Sequence, residues 1–137
     1  MNKKLIFFYV AIVLSIMLSG CSVAKKSADK IKNLDYTVLG TDEQPEELKD
    51  IISEKVDDSF QISYVLGEDL YIAVGYGKQE CGGYSISVNE FYEAEDILYL
   101  DTSLIGPGNS ENVTNTPTTP YIVIKTENIP DKPIEFN

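Results

Sequence analysis

The side chains that most often carry catalysis are scarce in this chain. Its 137 residues include no histidine, and all eleven basic residues are lysines. Nucleophilic catalysis by serine or cysteine needs a base within hydrogen-bond reach, and the usual base is histidine. Lys78 could in principle activate Cys81, but the acids around this stretch disfavour the thiolate form of a cysteine. The sequence therefore predicts no catalytic nucleophile.

Carboxylates are the second group that could do chemistry, and they are abundant. They cluster at Glu46-Glu47, at Asp57-Asp58 and at Glu93-Ala94-Glu95-Asp96. General acid catalysis needs a buried carboxyl group with a raised pKa, whereas these clusters fall at turns and on the polar face of a helix. The oxygens of the third cluster suit calcium, but their spacing matches no calcium loop. We expect no catalytic residue, no metal site and no cofactor.

The first twenty residues have the pattern of an export signal. Lys3 and Lys4 precede an apolar run from Leu5 to Leu18. As a helix this run would be about 21 Å long, which is shorter than the roughly 30 Å hydrocarbon core of a bilayer. Residues 1–20 are therefore predicted to be a signal peptide, with an uncleaved anchor helix as the alternative.

The end of this segment, Leu18-Ser19-Gly20-Cys21, resembles the lipobox of bacterial lipoproteins. In that family the peptide is cut just before the cysteine, whose thiol is acylated. The resemblance implies lipidation of Cys21 and a location on the extracytoplasmic face of the bacterial cell membrane. Cys81 would then lack a cysteine partner in its own chain, which leaves a free thiol or pairing with another molecule.

The charge of the mature chain excludes one class of partner. Without the signal peptide, nine lysines face twenty-two acids, which gives a formal net charge of −13. Such a surface repels nucleic-acid phosphates and anionic headgroups, so we expect no nucleic-acid partner and attachment to the membrane through the lipid. Residues 21–33 are polar and hold four lysines, which is typical of a tether. Residues 34–137 then form one domain.

The elements of this domain can be read from its hydrophobic periodicity. Residues 45–56 place Leu48, Ile51, Ile52 and Val56 on one stripe, which predicts an amphipathic helix of about twelve residues. Elsewhere the period is two, and strands are predicted around residues 34–39, 60–66, 70–76, 84–91, 97–103 and 121–125, with 134–136 able to extend an edge. The expected fold is α+β, with one helix packed on a small, mostly antiparallel sheet of five or six strands.

The stretch KQECGGYSISV joins two of these strands. Gly82 and Gly83 permit the positive φ angles that tight or bulged hairpins need. Tyr84, Ile86 and Val88 then alternate with polar residues and are predicted to form the inner face of the next strand. On this local evidence alone the stretch is a structural turn.

The order of elements over residues 34–136 resembles the PrcB C-terminal domain family. Its members often carry the signature Gly-Lys-x-Thr-Gly-Gly-Tyr-Ser-Ile, which this chain matches at Gly77-Lys78 and from Gly82 to Ile86. Pro120-Tyr121 matches the proline before the closing strand. The chain departs at Cys81, where the family has threonine, and by one extra residue after Lys78. This departure indicates that Cys81 is a small buried turn residue.

The resemblance implies a non-catalytic accessory protein that stabilises a surface protease complex. We therefore predict an envelope or surface protein as the partner. The predicted partner-binding residues are Gly82, Gly83, Tyr84 and Pro107, on a surface shared with the loop at 106–119. The turn is also similar to the Thr-Thr-Gly-Tyr loop of chagasin-like inhibitors, which makes protease inhibition the alternative function.

Overall fold

The computed structural model describes residues 29–109 and 113–137. The signal peptide expected at residues 1–20 and the lipidation expected at Cys21 lie outside the described residues and stay predictions. Within the described part, no helix has the length and apolar character needed to cross a bilayer.

One α-helix and eight strands make up the described part of the chain, together with a short 3-10 turn at Thr41–Glu43. In chain order these elements are β1 (Lys30–Asn33), β2 (Thr37–Val38), α1 (Glu46–Lys55), β3 (Ser59–Leu66), β4 (Asp69–Tyr76), β5 (Ser85–Ala94), β6 (Leu98–Ile105), β7 (Tyr121–Glu127) and β8 (Ile134–Phe136). The predicted mixture of one helix with mostly antiparallel strands is confirmed in this broad form.

The strands form two four-stranded sheets, which corrects the expected single sheet of five or six strands. The first sheet has the order β1-β5-β6-β8 and the second the order β2-β7-β4-β3. Only β8 runs parallel to its neighbour among the described pairs. Alternating side chains show that a strand has two distinct faces, but they do not show which strands share a sheet. The number of sheets was therefore not readable from the local patterns.

Two hydrophobic clusters lie on either side of the second sheet. The cluster between the two sheets contains Leu70, Ile72, Val74, Phe91, Leu98, Leu100 and Ile124. The cluster between the second sheet and α1 contains Leu48, Ile52, Phe60, Tyr71, Ala73 and Val123. Because successive side chains of a strand point to opposite faces, β4 and β7 contribute to both clusters. The domain consequently has three layers, with the second sheet in the middle.

Helix α1 forms where the sequence predicted it. Glu46 and Glu47 occupy its first turn and Lys55 its last, so these charges complement the helix dipole at both ends. Leu48 and Ile52 are four residues apart, lie on the same face, and are both buried against the second sheet.

The structure places a strand inside the segment that the sequence assigned to the tether. β1 pairs with the end of β5, with Lys30 opposite Ala94, and all four of its residues are exposed. Ile31 is the one apolar residue among its four, so the hydrophobic pattern could not reveal a strand held mainly by backbone hydrogen bonds. The strand expected at residues 34–39 is shortened to β2, which pairs with β7.

Glu93 connects β1, β5 and the segment before β8. Lys132 Nζ donates to Glu93 Oε1 at 2.7 Å and to the carbonyl of Ala94 at 2.7 Å. Lys32 Nζ lies 3.4 Å from Glu93 Oε2. The hydrogen bond from Lys132 is the largest cause that lowers the pKa of Glu93, and partial burial opposes it. Glu93, one of the acids first considered for calcium, is therefore a member of an ion-pair cluster.

Glu93→Gln should reduce the acid sensitivity of the fold. Because the pKa of Glu93 is lower in the folded state than in the unfolded state, its charge stabilises the fold at neutral pH. That contribution is lost as the pH falls through the folded-state pKa. The variant should therefore have a lower Tm at neutral pH and a smaller fall in Tm on acidification, measured by circular dichroism. The exposed Glu95→Gln is the control, and an equal acid sensitivity in both variants would contradict the prediction.

Candidate interaction site at the glycine-tyrosine turn

The connection from β4 to β5 begins with a glycine that no other residue could easily replace. Gly77 has a φ of +72°, and a Cβ atom there would lie 3.1 Å from the backbone carbon of Asp58. The next residue, Lys78, donates its backbone N–H to the carbonyl of Asp57 at 3.1 Å. These contacts fix the direction in which the chain leaves β4.

The turn is then held by the loop that precedes β7. Gln79 and Thr118 exchange two backbone hydrogen bonds of 2.8 and 3.0 Å. The Thr118 hydroxyl donates to the carbonyl of Cys81 at 2.8 Å, and the Gly82 N–H donates to the carbonyl of Thr114 at 2.9 Å. The structure therefore brings the turn and the loop expected at 106–119 together.

The two adjacent glycines do different things. Gly82 is buried, and a Cβ atom there would overlap the Thr114 hydroxyl. Gly83 is exposed and has a φ of +88°, and a Cβ atom there would lie 2.9 Å from Pro107 Cβ. Both positions need glycine. Gly82 needs it because Thr114 lies so close, and Gly83 needs it because of its positive φ as well as its contact with Pro107.

Tyr84 lies beside this pair and is partly buried. A Cβ atom on Gly106 would lie 3.8 Å from the Tyr84 ring, so the ring borders the facing loop. Burial, followed by the neighbouring Cys81 and Glu80, raises the pKa of the Tyr84 phenol above its ordinary value. The hydroxyl group is therefore neutral at physiological pH and can donate a hydrogen bond.

Three of the four predicted partner-binding residues reach the surface together. Gly83 is exposed, while Tyr84 and Pro107 are partly exposed beside it. We call these three residues the glycine-tyrosine patch. Gly82 lies beneath the patch and can only support it. Whether the patch binds a partner stays a prediction.

Sequence reasoning missed the residues that hold the patch in place. Thr114 and Thr118 bond the turn from more than thirty positions away in the chain. The only available signal was the threonine content of their loop, which does not say where a hydroxyl group will bond. Cys81 was expected to be buried but is only partly buried, and its backbone carbonyl accepts the hydrogen bond from Thr118.

The groups at this site can make hydrogen bonds and apolar contacts. In residues 29–109 and 113–137, no three potential ligands among the His, Cys, Asp and Glu side chains come close enough to hold a metal ion. The turn offers backbone amides, hydroxyl groups and the Tyr84 phenol, together with the side chains of Lys78, Glu80 and Cys81. Such groups recognise another protein through shape and hydrogen bonds.

The family comparison covers this site. Residues 70–127 match the family model described as PrcB C-terminal. The resemblance inferred from the sequence is thereby confirmed over this segment. Comparisons with curated proteins and with solved structures give no significant match.

The PrcB C-terminal match runs from β4 to β7. It includes the whole glycine-tyrosine patch, the two threonines that hold the turn, and all seven buried residues of the cluster between the two sheets. Helix α1, which packs on the second sheet, and strand β3, which belongs to that sheet, lie outside the matched residues. The patch and its support therefore belong to the matched PrcB segment.

The patch lies far from the point where the chain enters the domain. Lys30 pairs with Ala94 at one end of β5, and the turn that carries Tyr84 precedes Ser85 at the other end. Ten strand residues at about 3.3 Å each span roughly 30 Å. The entry of the chain and the glycine-tyrosine patch are thus at opposite ends of the first sheet.

Proposed function

We propose that this chain is a lipid-anchored, extracytoplasmic and non-catalytic binding module. It serves as an accessory or stabilising subunit for an envelope protein such as a surface protease. The observation that carries the proposal is the position of the glycine-tyrosine patch, which lies within the PrcB C-terminal match and at the end opposite to the entry of the chain.

This position suits a protein that is anchored at one end. A lipid at Cys21 would hold the domain through the chain that enters at β1, beside Ala94. The patch would then lie about 30 Å along the sheet from the anchored end, where a partner can approach it. A tether of a few residues before β1 would give the domain further freedom to orient.

The patch has the chemistry of a protein contact. Tyr84 offers an aromatic ring and a neutral hydroxyl group, a combination enriched among residues that dominate binding energy. Gly83 exposes its backbone because it carries no side chain. The acidic surface of the chain would speed association with a basic partner and would weaken binding to acidic ones.

Tyr84→Ala should abolish capture of the partner without unfolding the domain. The unchanged full-length lipidated chain, tagged and used as bait in detergent-solubilised envelope, should capture a protease-containing complex. Loss of a central aromatic contact costs about 2 kcal/mol or more, which is roughly thirtyfold in affinity. Captured protein is measured by quantitative mass spectrometry, and the Tm of each variant is measured in parallel.

Tyr36→Ala is the matched control, since this tyrosine is 39% exposed and lies outside the patch. It should capture the partner as well as the unchanged chain does. Equal capture by the Tyr84 variant, or a collapse of its Tm, would show that the turn is structural and that the proposed contact surface is wrong.

Protease inhibition through the same turn is the alternative function, and a separate assay distinguishes it. An accessory subunit leaves the activity of the captured protease unchanged or raises it, whereas an inhibitor lowers it in proportion to occupancy. Inhibition by the unchanged chain that disappears in Tyr84→Ala would favour the inhibitor.

A further inference from the structure

We propose that the free edge of β3 binds an extended segment of another protein by strand addition, and that basic residues flank this segment. This surface is separate from the glycine-tyrosine patch. The inference goes beyond the proposed function, because it rests on the edge of the second sheet and needs no assumption about the patch or the lipid.

β3 is the longest of the four edge strands in the described part of the chain. The other three edge strands, β1, β2 and β8, have four, two and three residues, whereas β3 has eight. Its register with β4 is unbroken from Ser59 to Leu66. Proteins usually protect such an edge with lysine, proline or a bulge, and this strand has none of them. An unprotected regular edge is a template for another strand.

The backbone groups that face the free edge can be assigned. Tyr76 donates its N–H to the carbonyl of Pro120, on the side away from β3. Its opposite residue, Ser59, therefore belongs to a pair without hydrogen bonds, and pairs of the two kinds alternate along an antiparallel ladder. Gln61, Ser63 and Val65 consequently direct their N–H and C=O groups to the free edge.

The two faces beside this edge differ in polarity. On one face Phe60, Ile62 and Tyr64 pack toward α1. On the other face Ser59 and Gln61 line a cleft of about 440 Å³, and Ser63 and Val65 line a second of about 310 Å³. Both clefts open between β3 and the β8 side of the first sheet. An added strand should therefore present apolar side chains toward α1 and small polar ones toward the clefts.

The charges at the ends of β3 indicate which partner fits. The strand itself is uncharged, but Asp57 and Asp58 precede it and Glu68 follows it. Two copies of the chain can share this edge only antiparallel about a two-fold axis. A register centred on Ser63 pairs outward residues with outward residues and would place Asp58 opposite Glu68 of the other copy, and like charges directly opposite are destabilising. A segment with lysine or arginine at both ends is complementary instead.

The test uses a defined probe and the full-length chain in detergent. The probe is a fluorescein-labelled peptide of about ten residues, in which alternating valine and threonine is flanked by two lysines at each end. Ser63→Pro removes an outward N–H without touching the bonds to β4, and proline is tolerated in this position of an edge strand. Ser63→Ala is the matched control because it keeps the N–H group.

The expected result is saturable binding to the unchanged chain and to Ser63→Ala, measured by fluorescence anisotropy. Binding should weaken about tenfold or more in Ser63→Pro, since hydrogen bonds are lost and the ring blocks the edge. It should weaken similarly for a peptide with N-methylated alternate amides, and for one with glutamates in place of the lysines. Amide hydrogen exchange should show new protection at Gln61, Ser63 and Val65.

Three results would overturn the proposal. The first is equal binding to Ser63→Pro and Ser63→Ala. The second is a peptide that binds without protecting the edge amides, a readout that holds even if the proline variant fails to fold. The third is failure of the unchanged chain to bind the peptide. This result counts against the proposal even if sedimentation shows that two copies occupy each other's β3 edge.

Discussion

Replacement of Ile72 by alanine is expected to lower the free energy of unfolding by about 3–4 kcal/mol. Ile72 has no exposed surface and lies in the middle of β4, where it packs between the two sheets. The surrounding strands are paired on both sides, so they cannot collapse into the space that the missing atoms leave. For a domain near one hundred residues, this loss corresponds to a fall in Tm of roughly 15 °C or more.

The matched control for this change is Ile31→Ala. Ile31 has the same side chain, but it is 61% exposed on β1. Its removal should change the free energy of unfolding by less than about 0.5 kcal/mol, as is usual for exposed positions. Urea denaturation of both variants measures the difference. Similar losses in the two variants would show that the space between the sheets is not the main core.

Gly75→Ala is the second change expected to have a large effect, with a loss of about 2–3 kcal/mol. Gly75 lies near the end of β4, and the ring of Phe60 on β3 covers it. A Cβ atom at Gly75 would overlap this ring and would lie 2.6 Å from both Cδ1 and Cζ of Phe60. Phe60 is itself buried and lies beside Tyr121, with 6.4 Å between ring centroids, so it has little room to move.

A double-mutant cycle identifies the cause of this loss. If the overlap with Phe60 is responsible, Gly75→Ala should cost much less in a Phe60→Leu background than in the unchanged chain. Gly108→Ala is the control, since a Cβ atom there meets nothing within 4 Å. Equal costs at Gly75 and Gly108, or additive effects in the cycle, would exclude the proposed overlap.

These two positions also connect stability to the candidate site. β4 carries Ile72 and Gly75 and leads directly into the turn at Gly77, which begins the connection to the glycine-tyrosine patch. A variant that loosens β4 should therefore weaken partner capture indirectly. Comparing Gly75→Ala with Tyr84→Ala at a temperature where both are folded separates loss of support from loss of contact.

Several features of the protein were determined by local sequence. Two local features specify α1. The acids before Leu48 interact favourably with the helix dipole, and the four-residue spacing from Leu48 to Ile52 places both side chains on one buried face. The hairpin of β3 and β4 follows from two alternating runs around Gly67, which has a φ of +63°. The family resemblance was also readable, because the glycines and Tyr84 keep their order in the signature.

Other features depend on contacts between distant residues, which no local pattern encodes. The division into two sheets required β4 to be covered on both faces, by α1 and by the first sheet. β1 forms because the edge of β5 is available and Glu93 can pair with Lys32. The patch exists because Thr114 and Thr118 bond the turn across the chain. Local sequence thus determined α1 and most of the strands, while long-range backbone and charge pairing decided β1 and how the elements assemble, since those interactions leave no periodic trace.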